Sequence, residues 1–168
     1  MRKRTLYLLQ ATTALGGMGY GVMFTVLDDF RDKYGITESK LGLIVSIGFI
    51  TGFFSQILFA PQADKGHAKK LVMTGITIEI IGTLFMAFGH AFLPLMLGRL
   101  LTGFGVGISE PALRRILILS DPERMGQNLG LIVSASVAGF TAGPIVSALT
   151  ADTLGISAPF LIVAVLLL

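Results

Sequence analysis

The sequence predicts an all-α membrane protein, and three observations predict it. Only 14% of the 168 residues are charged and 53% are hydrophobic, against about 25% charged in ordinary soluble domains. Those charges fall between long runs that have none: Thr5 to Leu27, Leu41 to Ala63 and Met125 to Ala151. About 20 apolar residues cross a hydrocarbon core, so each run is long enough. Glycines also recur four apart, at Gly17/Gly21, Gly48/Gly52, Gly103/Gly107, Gly126/Gly130 and Gly139/Gly143. In lipid, helices associate through small residues that let backbones approach, so five such pairs predict a tightly packed bundle.

Six segments follow in order. The first, about residues 5–27, comes after the basic start MRKRTLYLL, which resembles the charged and apolar parts of a signal peptide. Its uncharged run continues through Gln10 and several glycines, and no small-x-small site ends it. It therefore reads as a retained helix, closed at the outer surface by Asp28 and Asp29. DDFRDKYGITES leads to the second segment, 39–61, with Gly35 as the turn and Thr37 or Ser39 as the helix cap. APQADKGHAKK leads to the third, 71–89, whose single charge is Glu79. GHAFLP leads to the fourth, 93–118, where Pro94 suits a first helical turn. That segment holds Arg99, and Glu110 four residues before Arg114, a spacing that predicts a surface ion pair. The fifth, 126–149, contains GFTAGPIVSA; Pro144 at mid-membrane removes a backbone hydrogen bond and bends the helix. The sixth, 158–168, is APFLIVAVLLL. Nothing reads as a soluble domain.

The basic residues set an orientation. Arg2, Lys3, Arg4, Lys65, Lys69, Lys70, Arg114, Arg115 and Arg124 fall on one side, and Arg31, Lys33 and Lys40 on the other. Lys and Arg concentrate on the cytoplasmic face, which places the N-terminus in the cytoplasm. The net charge of +3 is thus a topology signal, with the lipid bilayer as partner and no nucleic acid. No cysteine is present, which removes disulfides and thiolate metal sites. An intramembrane enzyme would need paired metal-ligand histidines or a Ser/His pair at membrane depth. Only His67 and His90 exist, and both fall in loops, so no enzyme, metal or cofactor is expected.

Arg99 is the residue that needs a reason. An arginine at the centre of a membrane helix costs about 2.5–3.5 kcal/mol on insertion scales. Counted from Pro94, it lies about one and a half turns inside the outer surface. Glu79, ten residues before Gly89, reaches a similar depth from the same surface. Three readings stand: a structural ion pair, no contact at all, or a carboxyl at Glu79 that loads and releases a proton as its surroundings change.

Three patterns together resemble the N-terminal half of a major facilitator superfamily transporter. The loop containing Asp64, Lys65, Lys69 and Lys70 is similar to that family's G-x-x-x-D-(R/K)-x-G-R-(K/R)-(K/R) signature. It departs at Ala60, which replaces the first glycine, and at Gly66, which is shifted. Arg99, Gly103 and Gly105 match the R-x-x-x-G-x-G signature of the fourth helix. Gly139, Gly143 and Pro144 match the G-x-x-x-G-P-x-x-G-G signature of proton-coupled exporters, with Ser147 and Ala148 in place of its last glycines. PERMGQNLG, with Arg124, Gly126 and Gly130, is similar to a further R-G-x-x-x-G stretch.

The resemblance implies twelve helices in two six-helix halves, with substrate bound near the midplane between them. This chain would supply the first half, its sixth helix truncated: ten residues from Pro159 give about 15 Å. The missing C-terminal half, or a second copy, becomes an expected partner. Asp64 would meet a helix of that half and hold a gate, and Arg99 would take part in proton transfer. The implied activity is proton-coupled antiport, exporting a small organic solute across a bacterial inner membrane. A non-transporting fragment or assembly partner, and uptake of a small metabolite, are the alternatives. Tyr20, Gln10, Gln56 and Ser109 are the candidates for the cavity wall, and so sparse a polar set suits an apolar or amphipathic solute.

Overall fold

The computed structural model describes residues 3–168, all helices and short connections, with no strand among them. Arg2, and the side chain of Lys3, counted above for orientation, lie outside what it describes. Helix α1 spans Lys3–Gly21, passes through a 3-10 stretch at Val22–Val26, and continues as α2, Leu27–Tyr34. Helix α3 is Glu38–Gln62, α4 Ala68–Phe88, α5 Phe92–Ser120, α6 Met125–Leu154 and α7 Ala158–Leu166. Among the described residues, three helical stretches are long and apolar enough to cross a bilayer: Glu38–Phe88, Phe92–Ser120 and Pro122–Leu154. The first of these bends at Gly66, whose φ of 89° breaks a π-helical turn between α3 and α4.

The first helix does not close at Asp28 and Asp29. Both sit in the first turn of α2, with Arg31 and Lys33 in its last, the charge order a helix dipole favours. Arg31 pairs with Asp28 at 3.1 Å and Lys33 with Asp29 at 3.7 Å, each one turn along. Phe30 is fully buried on the same helix and stacks on Phe160 of α7, ring centroids 6.2 Å apart. Gly35 ends α2 in the left-handed conformation (φ 63°), the geometry that favours glycine at a helix C-terminus.

Glycine decides how the long helices meet. Helix α5 runs between α3 and α4. A Cβ on Gly103 or Gly107 would strike the α3 backbone at Gly48 or Gly52, and one on Gly105 would strike Gly75 of α4. Helices α1 and α6 form the other close pair: Gly17 and Gly21 lie against Ser136, Phe140 and Gly143, while Gly139 lies against the carbonyl of Ala14. Thr25 donates to the carbonyl of Pro144 at 3.1 Å, tying the 3-10 stretch to the proline-bearing turn. Gly126 and Gly130 are the exception, with open space where a side chain would stand. That end of α6 packs through its other face, where Leu129 and Ile132 join Leu9, Leu113 and Leu117.

The apolar core is divided. One cluster, built on Met23, Phe30, Ile44, Leu95 and Phe160, closes the end of the bundle where α2 lies. Smaller clusters around Leu117 and Ala112 close the opposite end. Between them the buried side chains include Thr102, Ser55, Glu79 and Arg99.

Candidate functional site

A cavity of about 460 Å³ opens in the middle layer, walled by α1, α3, α4, α5 and α6. Its volume falls within the roughly 300–1,000 Å³ usual for small-molecule sites. Helix α1 presents Thr13, Gly17 and Tyr20, spaced three and four apart and so on one face. Helix α3 presents Phe49, Phe53 and Gln56 with the same periodicity. Helix α5 contributes Ser109 and Glu110, α6 Phe140, and α4 the carboxylate of Glu79. Tyr20, Gln56 and Ser109 are therefore on this wall. Gln10 is half-buried toward the start of α1 and is not part of it.

Arg99 is 1% exposed and sits in a cradle of rings and glycine. Its guanidinium carbon lies 4.2 Å from the Tyr20 ring centre and 5.6 Å from that of Phe49. A Cβ on Gly48 would come within 2.6 Å of Arg99 Nε, so only glycine leaves room for the guanidinium at that crossing. Tyr20 in turn donates its hydroxyl to the Gly48 carbonyl at 3.0 Å. A cation over an aromatic face recovers about 2 kcal/mol or more when desolvated, which offsets part of the cost of burial. Among the described residues Nε and Nη2 find no hydrogen-bond partner.

Glu79 is 2% exposed, and among the described residues no ion pair joins it to Arg99. Shared depth did not bring the two charges into contact, because they leave their helices toward different neighbours. Glu79 reaches α1: Cβ atoms on Gly16 and Gly19 would lie 3.6 and 3.3 Å from Oε1. Among the described residues that oxygen accepts no hydrogen bond, although Glu79 lines the cavity.

Glu110 forms the predicted pair with Arg114, at 2.7 Å, but on the cavity wall and not on an open surface. Gln56 Nε2 also donates to Glu110 Oε2 at 3.2 Å, bridging α3 and α5. Asp64 pairs within this chain, with Arg115 Nε at 3.0 Å. Lys65, Lys69 and Lys70 are exposed around the Gly66 bend. Gly103 and Gly105 face opposite neighbours of α5, and Gly139, Gly143 and Pro144 lie on the α1–α6 contact. Sequence reasoning did not single out Phe49, Phe53, Phe140, Gly48 or Arg115 for the site. Only Gly48 carried a signal, its pairing with Gly52; a phenylalanine in an apolar run carries none.

Residues 9–168 match the family model for the Major Facilitator Superfamily. The chain is 27% identical over 146 residues to the quinolone resistance protein NorA of Staphylococcus aureus, covering 84% of this chain and 37% of the relative. It is 24% identical over 159 residues to the uncharacterized MFS-type transporter MJ1560 of Methanocaldococcus jannaschii, covering 94% of this chain and 41% of the relative. The chain thus spans about two-fifths of the length of the curated relatives it matches. An all-helical bundle, charge-poor membrane helices and a match along nearly the whole sequence lead to one conclusion: this chain belongs to the Major Facilitator Superfamily, a family of membrane transporters.

Proposed function

We propose that the protein exports a small amphipathic solute in exchange for protons, by alternating access, with Glu79 as the proton-carrying group and Arg99 as its coupling partner at a distance. The observation that carries this reading is Glu79 itself: buried, on the cavity wall, with a carboxylate oxygen that accepts no hydrogen bond among the described residues. A permanently ionised carboxylate in such a place is costly, and buried ionisable residues in membrane helices mark proton and substrate paths. Phe49, Phe53 and Phe140 give the cavity an aromatic lining suited to an amphipathic compound. The likeness to a quinolone resistance protein favours export of such a compound over uptake. The N-terminus is assigned to the cytoplasm of a bacterial inner membrane on the distribution of Lys and Arg. The second six-helix half completes the cavity, and the Asp64 bend works as part of its gate.

The test uses the full-length protein in proteoliposomes with an imposed pH gradient and a neutral amphipathic solute. Wild type should accumulate the solute, and a protonophore should abolish the accumulation. Glu79→Gln should lose gradient-driven accumulation yet keep solute–solute exchange, which needs no proton. Gradient-driven pumping at the wild-type rate by Glu79→Gln would sink the assignment.

A further inference from the structure

Most hydroxyl groups on the cavity wall are already committed as donors. Thr12, Thr13, Tyr20 and Ser109 line it, and they donate to the backbone carbonyls of Leu8, Leu9, Gly48 and Val106 respectively. Among the described residues Ser136 is the one lining hydroxyl that donates to no carbonyl. A hydroxyl oxygen that has given its proton can still accept. The wall is therefore richer in acceptors than in donors.

One acceptor on it has a fixed direction. Glu110 has both carboxylate oxygens engaged: Oε1 receives Arg114 Nη2 at 2.7 Å, and Oε2 receives Gln56 Nε2 at 3.2 Å. A carboxylate paired with a guanidinium only accepts, so the Gln56 carboxamide must turn its NH2 group toward it. Its oxygen, on the other side of the planar amide, accepts no hydrogen bond among the described residues and keeps accessible surface. Gln56 is half-buried on the cavity wall, so that oxygen is open to whatever fills the cavity. Phe53 and Phe49, three and seven residues before it, stand on the same face of α3. An aromatic surface and a directed carbonyl acceptor thus lie side by side. Because Arg114 neutralises Glu110, this part of the wall carries no net charge, and an uncharged donor suffices.

From this we infer that Gln56 sets a hydrogen-bonding specificity: the cavity prefers uncharged aromatic amphipaths that bring one N–H or O–H donor to Gln56 Oε1. Glu110, held by Arg114, is the positioning residue that keeps the amide from turning over. An analogue offering only an ether oxygen there sets acceptor against acceptor and binds less tightly. The inference rests on reading this cavity as the solute site, but it concerns binding and is measured apart from proton coupling.

The experiment is equilibrium binding to the full-length protein in lipid nanodiscs, corrected for partition into protein-free nanodiscs. The probes are a naphthylhexyl alcohol, the fluoride that replaces its hydroxyl, and its methyl ether. Wild type should bind the alcohol about tenfold more tightly than either of the others, the scale of one well-formed hydrogen bond. Gln56→Leu should bring the three affinities to within about a factor of two, chiefly by weakening the alcohol. Glu110→Gln both donates and accepts, which frees the Gln56 amide to turn over, and it should cut the alcohol's advantage to about threefold or less. Equal affinities in wild type would overturn the inference, and that comparison needs no variant to fold. A preference that survives in Gln56→Leu would put the acceptor elsewhere on the wall and overturn the role given to Gln56. A full preference in Glu110→Gln would overturn the positioning role of Glu110. Loss of gradient-driven pumping in Glu79→Gln together with equal wild-type affinities would leave the transport reading standing and this one refuted.

Discussion

The guanidinium of Arg99 is stacked on the ring of Tyr20, 4.2 Å from its centre, and the Tyr20 hydroxyl is bonded to the Gly48 carbonyl. Three helices therefore meet at one buried cation: α5 supplies the charge, α1 the ring, and α3 the acceptor and the glycine that leaves room. The arrangement separates two contributions that substitution at Tyr20 can resolve.

Tyr20→Phe keeps the ring and removes the hydroxyl, so it should lower stability by about 1 kcal/mol, the usual net value of one hydrogen bond. Tyr20→Leu also removes the ring and should cost a further 1–2 kcal/mol or so. Thermal unfolding of the full-length protein in detergent would read both. Equal losses for the two variants would mean that the ring contributes nothing to holding Arg99.

The glycine pairs should divide sharply. Gly139→Ala drives a methyl into the Ala14 carbonyl of α1, and overpacking of this kind costs about 1–3 kcal/mol or more. Gly130→Ala meets open space and should gain up to about 1 kcal/mol from helix propensity. The two variants should shift the unfolding midpoint in opposite directions. Shifts of the same sign would contradict the packing described for α1 and α6.

Asp64 and Arg115 join the bend at Gly66 to α5 across a contact of 3.0 Å in which Asp64 is exposed and Arg115 half-buried. A double-mutant cycle with Asp64→Asn and Arg115→Gln should return a coupling of about 0.2–1 kcal/mol, weakening in high salt. A coupling several times larger would show a pair shielded from solvent, unlike the one seen.

At the other end of the bundle Arg31 Nε donates to Asp32 Oδ1 at 2.8 Å, and this hydrogen bond holds the Asp32 carboxyl below the usual aspartate range. Because the folded value is depressed, the contribution to stability is fully present above the unfolded pKa. It fades as pH falls through the folded value. Arg31→Gln should move the Asp32 titration midpoint upward, as followed by carboxyl NMR. An unmoved midpoint would assign the shift to something other than Arg31.

The all-helical membrane class was written in the charge-free runs, since only a chain leaving water can omit charge for so long. The packing of α1 on α6 was half legible. The spacing of Gly139 and Gly143 announced a close contact, but the partner, α1 at Ala14 and Gly21, is more than a hundred residues away in the chain. Arg99 could be placed in depth but not in azimuth. Rise per residue fixes how far down a helix a charge lies, while its partner depends on how neighbouring helices are rotated. Hence Glu79, level with it, was a natural candidate, and the rings of Tyr20 and Phe49 are what it touches. The passage of helix one beyond Asp29 was hidden for a different reason. The same acids that end a membrane run also begin a good surface helix, and only the burial of Phe30 decides between them.

The cradle of Arg99 also has an order in time. Tyr20 and Phe49 precede Arg99 in the chain, and a ribosome delivers the N-terminus first. Both rings that receive the arginine, and the glycine that makes space for it, are thus synthesised and available to the bilayer before the fourth membrane helix emerges. The most costly residue to insert arrives last among its own neighbours, at a site already furnished to take it.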